Sequence, residues 1–235
     1  MTNDPAAISP KPPRRSVYGR RKGRPLRPGR RRLLEEKLPA LRIALDTLSQ
    51  CGPAALFAGH MREFWLEIGF GGGEHLACLA ERRRDIGILG AEPFVNGVAR
   101  LLSVIEDRSL RNIRIHDDDA RLLLKALPDA SLAQVFILFP DPWPKARHRK
   151  RRFISPEALC ALHRAIKPGG ELRFASDMPD YVLWTLDHIR AHGGFMLDRR
   201  AQDRRRRPHD WPGTRYEAKA ASAGRECAYL SFRRR

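Results

Sequence analysis

Residues 64–74 read FWLEIGFGGGE, an apolar run followed by Gly69, Gly71, Gly72, Gly73 and then an acid. The aromatic and aliphatic run suits a buried strand. Glycines directly after it let the chain turn sharply into a helix and leave room for a ligand against the main chain. The same alternation continues along the chain. Further strands are expected at IGILGAE (86–92), NIRIHDD (112–118), LAQVFILF (132–139) and GELRFAS (170–176), with helices beginning near Glu74, Phe94, Ala120, Pro156 and Pro179. Strand and helix in this order predict an α/β fold, a Rossmann-like, doubly wound and mostly parallel sheet. Two late strands, near FMLDRR (195–200) and AYLSFRR (228–234), have no clear helix between them, which predicts an antiparallel hairpin at the sheet edge.

The chain has 235 residues, 42% of them apolar, enough for one sizeable core. Residues 1–32 hold eleven Lys or Arg against the single acid Asp4, with six prolines. They read as a flexible basic arm, leaving 33–235 as a single domain. A helical pattern runs from Leu33 through Leu38, Leu41, Leu45 and Leu48, with Pro39 as a possible break. No apolar run reaches the roughly 18 residues of a membrane span, and nothing near Met1 resembles a secretory signal, so a cytoplasmic protein is expected. An organelle transit peptide is the competing reading of the basic N-terminus; its prolines would break the amphipathic helix such peptides form.

Cys51, Cys78, Cys160 and Cys227 form no Cys-x-x-Cys pair, and the eight histidines show no ligand spacing, so neither a disulfide framework nor a metal is expected. The net charge of +18 is the strongest global signal. A field of that sign attracts polyanions, nucleic acid first. An arginine-biased proteome would explain the choice of Arg over Lys, but less well the surplus.

A dinucleotide fingerprint, G-x-G-x-x-G/A, would place Gly or Ala at position 74, where this chain has Glu74; Glu67 sits two residues before Gly69. Two acids oppose a diphosphate and suit a cofactor bearing an ammonium group, such as S-adenosylmethionine. A tight turn without any ligand is the plainer alternative. Against it, Glu92 ends the second strand, where a carboxylate can accept from both hydroxyls of a ribose. The third strand ends in Asp117, Asp118 and Asp119: one can accept from an adenine amino group while another caps the next helix.

The fourth strand runs into FPDPWPKARHRKRR (139–152), three prolines around Asp141 and Trp143, then six Lys or Arg in eight positions. Together with SVYGRRKGR, LEIGFGGGEHL, GAEPFVNGV, DDDARLLL, FASDMPDY and GTRYEAK, it makes the chain resemble the bacterial tRNA (guanine-N7)-methyltransferases from about Ser16 to Leu230. The resemblance implies a class I S-adenosylmethionine-dependent methyltransferase acting on N7 of guanine at position 46, in the variable loop of tRNA. It places Glu67, Glu92, Asp119 and Asp141 at the cofactor, beside the loop glycines Gly69, Gly71 and Gly73 already read as its cradle, and makes Asp141 the catalytic residue. Lys145, Asp177, Thr214, Arg215, Tyr216 and Glu217 fall on substrate positions, and Arg147, His148, Arg149, Lys150, Arg151 and Arg152 on the RNA-contacting stretch. Two departures stand out, a longer and more basic N-terminal arm and Ala146 where a basic residue is common.

Guanine N7 carries a lone pair and no proton at neutral pH, so methylation needs alignment more than a base. Asp141 can accept from the N1 and N2 hydrogens and favour the positive charge that appears on the ring. Trp143 offers a stacking face, or simply packs. Other readings remain: a methyltransferase of this fold with another RNA, a protein or a small molecule as substrate, or an RNA-binding protein with a vestigial cofactor fold. Monomer and homodimer are both compatible with the sequence.

Overall fold

The computed structural model describes residues 18–198 and 204–235. Among these, one sheet is built in the order β3-β2-β1-β4-β5-β7-β6. The strands are β1 (Glu63–Ile68), β2 (Ile86–Ala91), β3 (Ile113–His116), β4 (Leu132–Leu138), β5 (Ile166–Ser176), β6 (Phe195–Leu197) and β7 (Ala228–Arg234). The first five pair in parallel; β7 runs antiparallel to both β5 and β6. After β1 the chain builds outward to β2 and β3, then returns to place β4 on the other side of β1. That reversal leaves a crevice at the carboxyl ends of β1 and β4, where open α/β sheets take their ligands.

Helices α4 (Glu74–Arg82), α5 (Val95–Asp107), α6 (Ala120–Ala126), α7 (Pro156–Ala165) and α8 (Pro179–His192) start within a residue of their expected positions. Alternating strand residues divide the core into two. Leu66, Leu89, Val135 and Ile137 pack beneath α6, α7 and α8, while Trp65, Ile88, Ile115 and Phe136 pack beneath α4 and α5. Both faces of the central strands are buried, which is why they read as continuous apolar runs rather than alternating ones.

Two expectations are corrected. The late strands are antiparallel and lie at the edge, but they do not form a hairpin. The connection between them carries α9 (Arg215–Ser222), and β7, the later strand, takes the inner position against β5. Thr214 and Glu217 form a reciprocal capping box that starts α9, a Thr-x-x-Glu signature present in the sequence. The single helical pattern over 33–48 is instead α1 (Pro28–Glu36), α2 (Leu38–Leu41) and α3 (Leu45–Cys51). Between α2 and α3 the chain lies along β3, Ile43 N donating to Ile115 O at 2.8 Å and Arg42 donating from Nε and Nη2 to the two carboxylate oxygens of Asp117. This segment covers the β3 edge that would otherwise present unpaired backbone groups.

The arm expected over 1–32 falls partly outside the described residues. From residue 18 onward the chain is laid on the domain: Val95 N donates to Arg21 O, Gly23 N to Asn96 Oδ1 at 2.8 Å, and Asn96 Nδ2 to Arg24 O at 2.8 Å. Asn96 thus clamps two backbone groups of this segment, Arg21 pairs with Asp118, and α1 already begins at Pro28.

Candidate functional site

Parallel register brings Ile68, Ala91, His116 and Ile137 into one row at the carboxyl edge. Whatever follows these residues therefore meets at one place. Gly69, Gly71 and Gly73 follow β1, all at positive φ (74°, 56° and 77°), which an L side chain rarely adopts. The loop is held close to α5, where a Cβ on Gly97 would lie 2.1 Å from Gly71 O. Above it opens a cleft of about 350 Å³, lined by Gly69 and Gly71, Glu92 and Phe94, Asp119 and Arg121, Phe139 to Asp141, Trp143, Tyr216, and Tyr18 to Arg20. The N-terminal segment is thus one wall of the cleft, a contribution missed at the sequence level.

The acids expected at the strand ends divide by partner. Glu92 is 8% exposed; its Oε2 accepts from Gly71 N at 2.7 Å and its Oε1 from Phe94 N at 2.9 Å. Burial pushes its carboxyl up, and the two backbone donors oppose that. A carboxylate has about four lone-pair sites, so this cleft-lining group keeps acceptor capacity beyond the two backbone donors. Asp119 is both the helix cap of α6, accepting from Arg121 N at 2.9 Å, and a lining residue. Asp117 and Asp118 are taken by Arg42 and Arg21. Glu67 is not among the lining residues: it is buried, with Oε2 2.8 Å from His75 Nδ1 on the first turn of α4. Gly73, at the foot of α4, does not line the cleft either.

After β4 the turn takes Phe139 and Trp143 into the left-handed region (φ 51° and 42°), a conformation that costs of order 1–3 kcal/mol per non-glycine residue. Arg152 holds the turn from beneath. It is 2% exposed, donates from Nε to Pro142 O at 2.9 Å, pairs with Asp180, and lies against the rings of Tyr181 and Trp184. On this braced turn Asp141 stands at the mouth of the cleft, and among the described residues its carboxylate accepts no hydrogen bond. Partial desolvation by the surrounding walls pushes its pKa up. Over the mouth, the Arg151 guanidinium lies 4.9 Å from the Trp143 ring and 5.2 Å from that of Tyr18.

A family described as "Putative methyltransferase" matches residues 61–230. The tRNA (guanine-N(7)-)-methyltransferase of Agrobacterium fabrum is 50% identical over 94% of this chain and 95% of its own. That of Paramagnetospirillum magneticum is 51% identical over 93% and 92%. The chain belongs to the tRNA (guanine-N(7)-)-methyltransferase family. Among solved structures, the 16S rRNA methyltransferase KamB superposes with a TM-score of 0.56 at 15% identity, covering 74% of this chain and 89% of that one, a likeness of fold. The seven strands, one antiparallel edge and crevice are those of a class I methyltransferase fold.

In this methyltransferase the remaining expected residues are differently employed. Arg152, expected to contact RNA, is instead an interior brace. Arg149 is partly spent on Asp180, at 3.0 Å, while Lys145, Arg147 and Lys150 are exposed. His148 sits edge-on to Trp143 at 5.9 Å, its pKa lowered by desolvation and then by Arg151, Arg147 and Lys145. Asp177 accepts from Arg225 Nε at 2.8 Å. Thr214 and Glu217 use their side chains on the cap, and Glu217 Oε1 also accepts from Tyr229 Oη at 2.7 Å. Their effect is to aim Arg215 and Tyr216 at the glycine loop, where a Cβ on Gly71 would lie 3.1 Å from Tyr216 Oη. Among the described residues no cluster of His, Cys, Asp and Glu could hold a metal, and no helix is long and apolar enough to cross a membrane.

Proposed function

We propose that this protein, acting in the cytoplasm, methylates N7 of guanine at position 46 in the variable loop of tRNA, with S-adenosylmethionine as donor. Asp141 carries the reading: a carboxylate without a hydrogen-bond partner among the described residues, fixed on a rigid turn, faces a cleft whose floor is a glycine cradle, in a chain half identical to enzymes of that name.

The residues fit such a donor. The positive-φ backbone at Gly69 and Gly71 leaves an opening that side chains would fill, and Glu92 retains lone pairs for ribose hydroxyls. Asp119 faces the same space as an acceptor for an adenine amino group. Glu67 acts at one remove, holding His75 and thereby the first turn of α4 beneath the glycines. Bound there, the donor would supply an electrophilic methyl to N7, its carbon–sulfur bond breaking with the electron pair kept on sulfur. Asp141 accepts from the N1 and N2 hydrogens of guanine, sets N7 in line, and offsets the positive charge arriving on the ring; no proton need be abstracted. Arg151 and Trp143 flank the base, while Lys145, Arg147 and Lys150 face the phosphates.

Incubation of the purified protein with labelled S-adenosylmethionine and unmodified tRNA, followed by nucleoside analysis, tests the reading. Labelled 7-methylguanosine at position 46 is expected. Label in another nucleoside would point to a different RNA chemistry, and no donor binding by calorimetry would leave only an RNA-binding protein.

A further inference from the structure

With Arg152 interior and Arg149 tied to Asp180, residues 145–152 present fewer free cations than their sequence promises. A second set lies alongside. Between α6 and α7 runs a trough of about 790 Å³, and Tyr18, Asp119 and Arg121 line both it and the cleft, so the two spaces join. Its walls carry Arg121 and Lys125 from α6 and Lys150 from the segment before α7. Arg164, at the far end, is occupied by Leu124 O, Leu127 O and Asp129. The acids are Asp119, whose Oδ1 caps α6 and also pairs with Arg121 Nη1 at 3.4 Å, and Glu157. Lys125 and Lys150 are exposed, and among the described residues neither has a carboxylate within ion-pair distance.

Unpaired cations on a concave wall focus their field into it, whereas on a convex face water would screen them. Arg121 and Lys125 are four residues apart on α6, hence on one face and about 5–6 Å apart at Cβ. That spacing is on the scale of one nucleotide step.

We propose that the trough holds the RNA backbone next to the target guanine, with phosphates against Lys125 and Lys150 beside the Asp119-paired Arg121, so that the strand leaves the cleft past Tyr18 and runs between α6 and α7. This rests on the tRNA reading above and adds α6 to the RNA-binding surface.

The test measures KM for unmodified tRNA across about 50–300 mM salt for the full chain, for Lys125→Gln and for Lys125→Gln/Lys150→Gln, with S-adenosylmethionine affinity by calorimetry as the check on folding. Each single-strand phosphate contact contributes about 0.7 to the log–log salt slope. Loss of one contact therefore lowers the slope by about 0.7 and raises KM about 5-fold at 0.1 M salt; loss of two doubles the slope change and gives about 25-fold. A double variant with intact donor affinity and the parent's KM and slope would overturn the proposal, as would a fall in kcat at constant KM. The tRNA reading fails separately, and takes this proposal with it, if the unaltered protein makes no 7-methylguanosine.

Discussion

Replacing Gly97 by alanine sets two effects of opposite sign against each other. In a helix alanine is favoured over glycine by about 1 kcal/mol, so propensity alone predicts a more stable protein. The packing of α5 predicts the reverse. The new Cβ would lie 2.1 Å from Gly71 O, a backbone atom on a tightly turned loop. Reaching an ordinary contact requires a shift of about 1 Å in α5 or in the loop, and such overpacking costs typically about 1–3 kcal/mol. If the loop yields, the 2.7 Å bond from Gly71 N to Glu92 is also lost, about 1.5–3 kcal/mol for a bond to a charged acceptor. Net destabilisation in urea unfolding is expected to be about 0–2 kcal/mol if the loop holds and about 1.5–5 kcal/mol if it yields. Because the displaced groups are the proposed donor site, S-adenosylmethionine affinity should fall at least about tenfold, equivalent to 1.4 kcal/mol. Gly29→Ala on α1, with nothing within 4 Å of the new Cβ, is the control and should be neutral or mildly stabilising. A Gly97→Ala protein stabilised like the Gly29 control, with unchanged donor affinity, would refute the argument.

Other substitutions separate structure from function in the same way. Asp141→Asn should abolish most turnover yet leave the fold at least as stable near pH 7. Partial desolvation by the cleft walls raises the pKa of the surface-exposed Asp141 in the folded state, so a small destabilising ionisation is absent below the ordinary carboxylate range, grows from there up to the raised folded value and is constant above it. A thermal-shift difference between variant and parent that failed to disappear at low pH would contradict this. Arg152→Ala should cost about 2–4 kcal/mol of stability through lost packing and an unsatisfied Pro142 carbonyl, whereas Arg147→Ala should stay within about 0.5 kcal/mol and lower the salt slope for tRNA; equal losses of stability would sink the distinction. Thr214→Ala removes the α9 cap, with an expected cost of about 0.5–2 kcal/mol, and a rise in KM for donor or tRNA as Arg215 and Tyr216 lose their aim, read by steady-state kinetics.

Much of the site could be read without coordinates because its signals are local. Apolar runs of strand length, glycines at a strand end and acids one to three residues beyond depend only on neighbours, and parallel register then carries the ends of β1, β2, β3 and β4 to one row. The α9 helix lies where the sequence shows no clear helix although its capping box is visible; the family resemblance places the same four residues, 214–217, at the substrate. Residues 18–27 resemble a charged tail because the groups that hold them, Asn96 and Asp118, lie some seventy or more positions away.

From composition and order alone, the chain was determined to be a parallel α/β protein with a glycine cradle, an acid at each strand end and an aspartate on a proline-bound turn. Tertiary structure decided among residues of one type. Of three consecutive aspartates, Asp119 faces the cleft while Asp117 and Asp118 are neutralised by arginines from the N-terminal segment; of four arginines between 147 and 152, Arg152 is interior and braces the turn that carries Asp141. Sequence specifies charge, but burial and the identity of a distant partner determine whether that charge meets a ligand or is spent inside the protein.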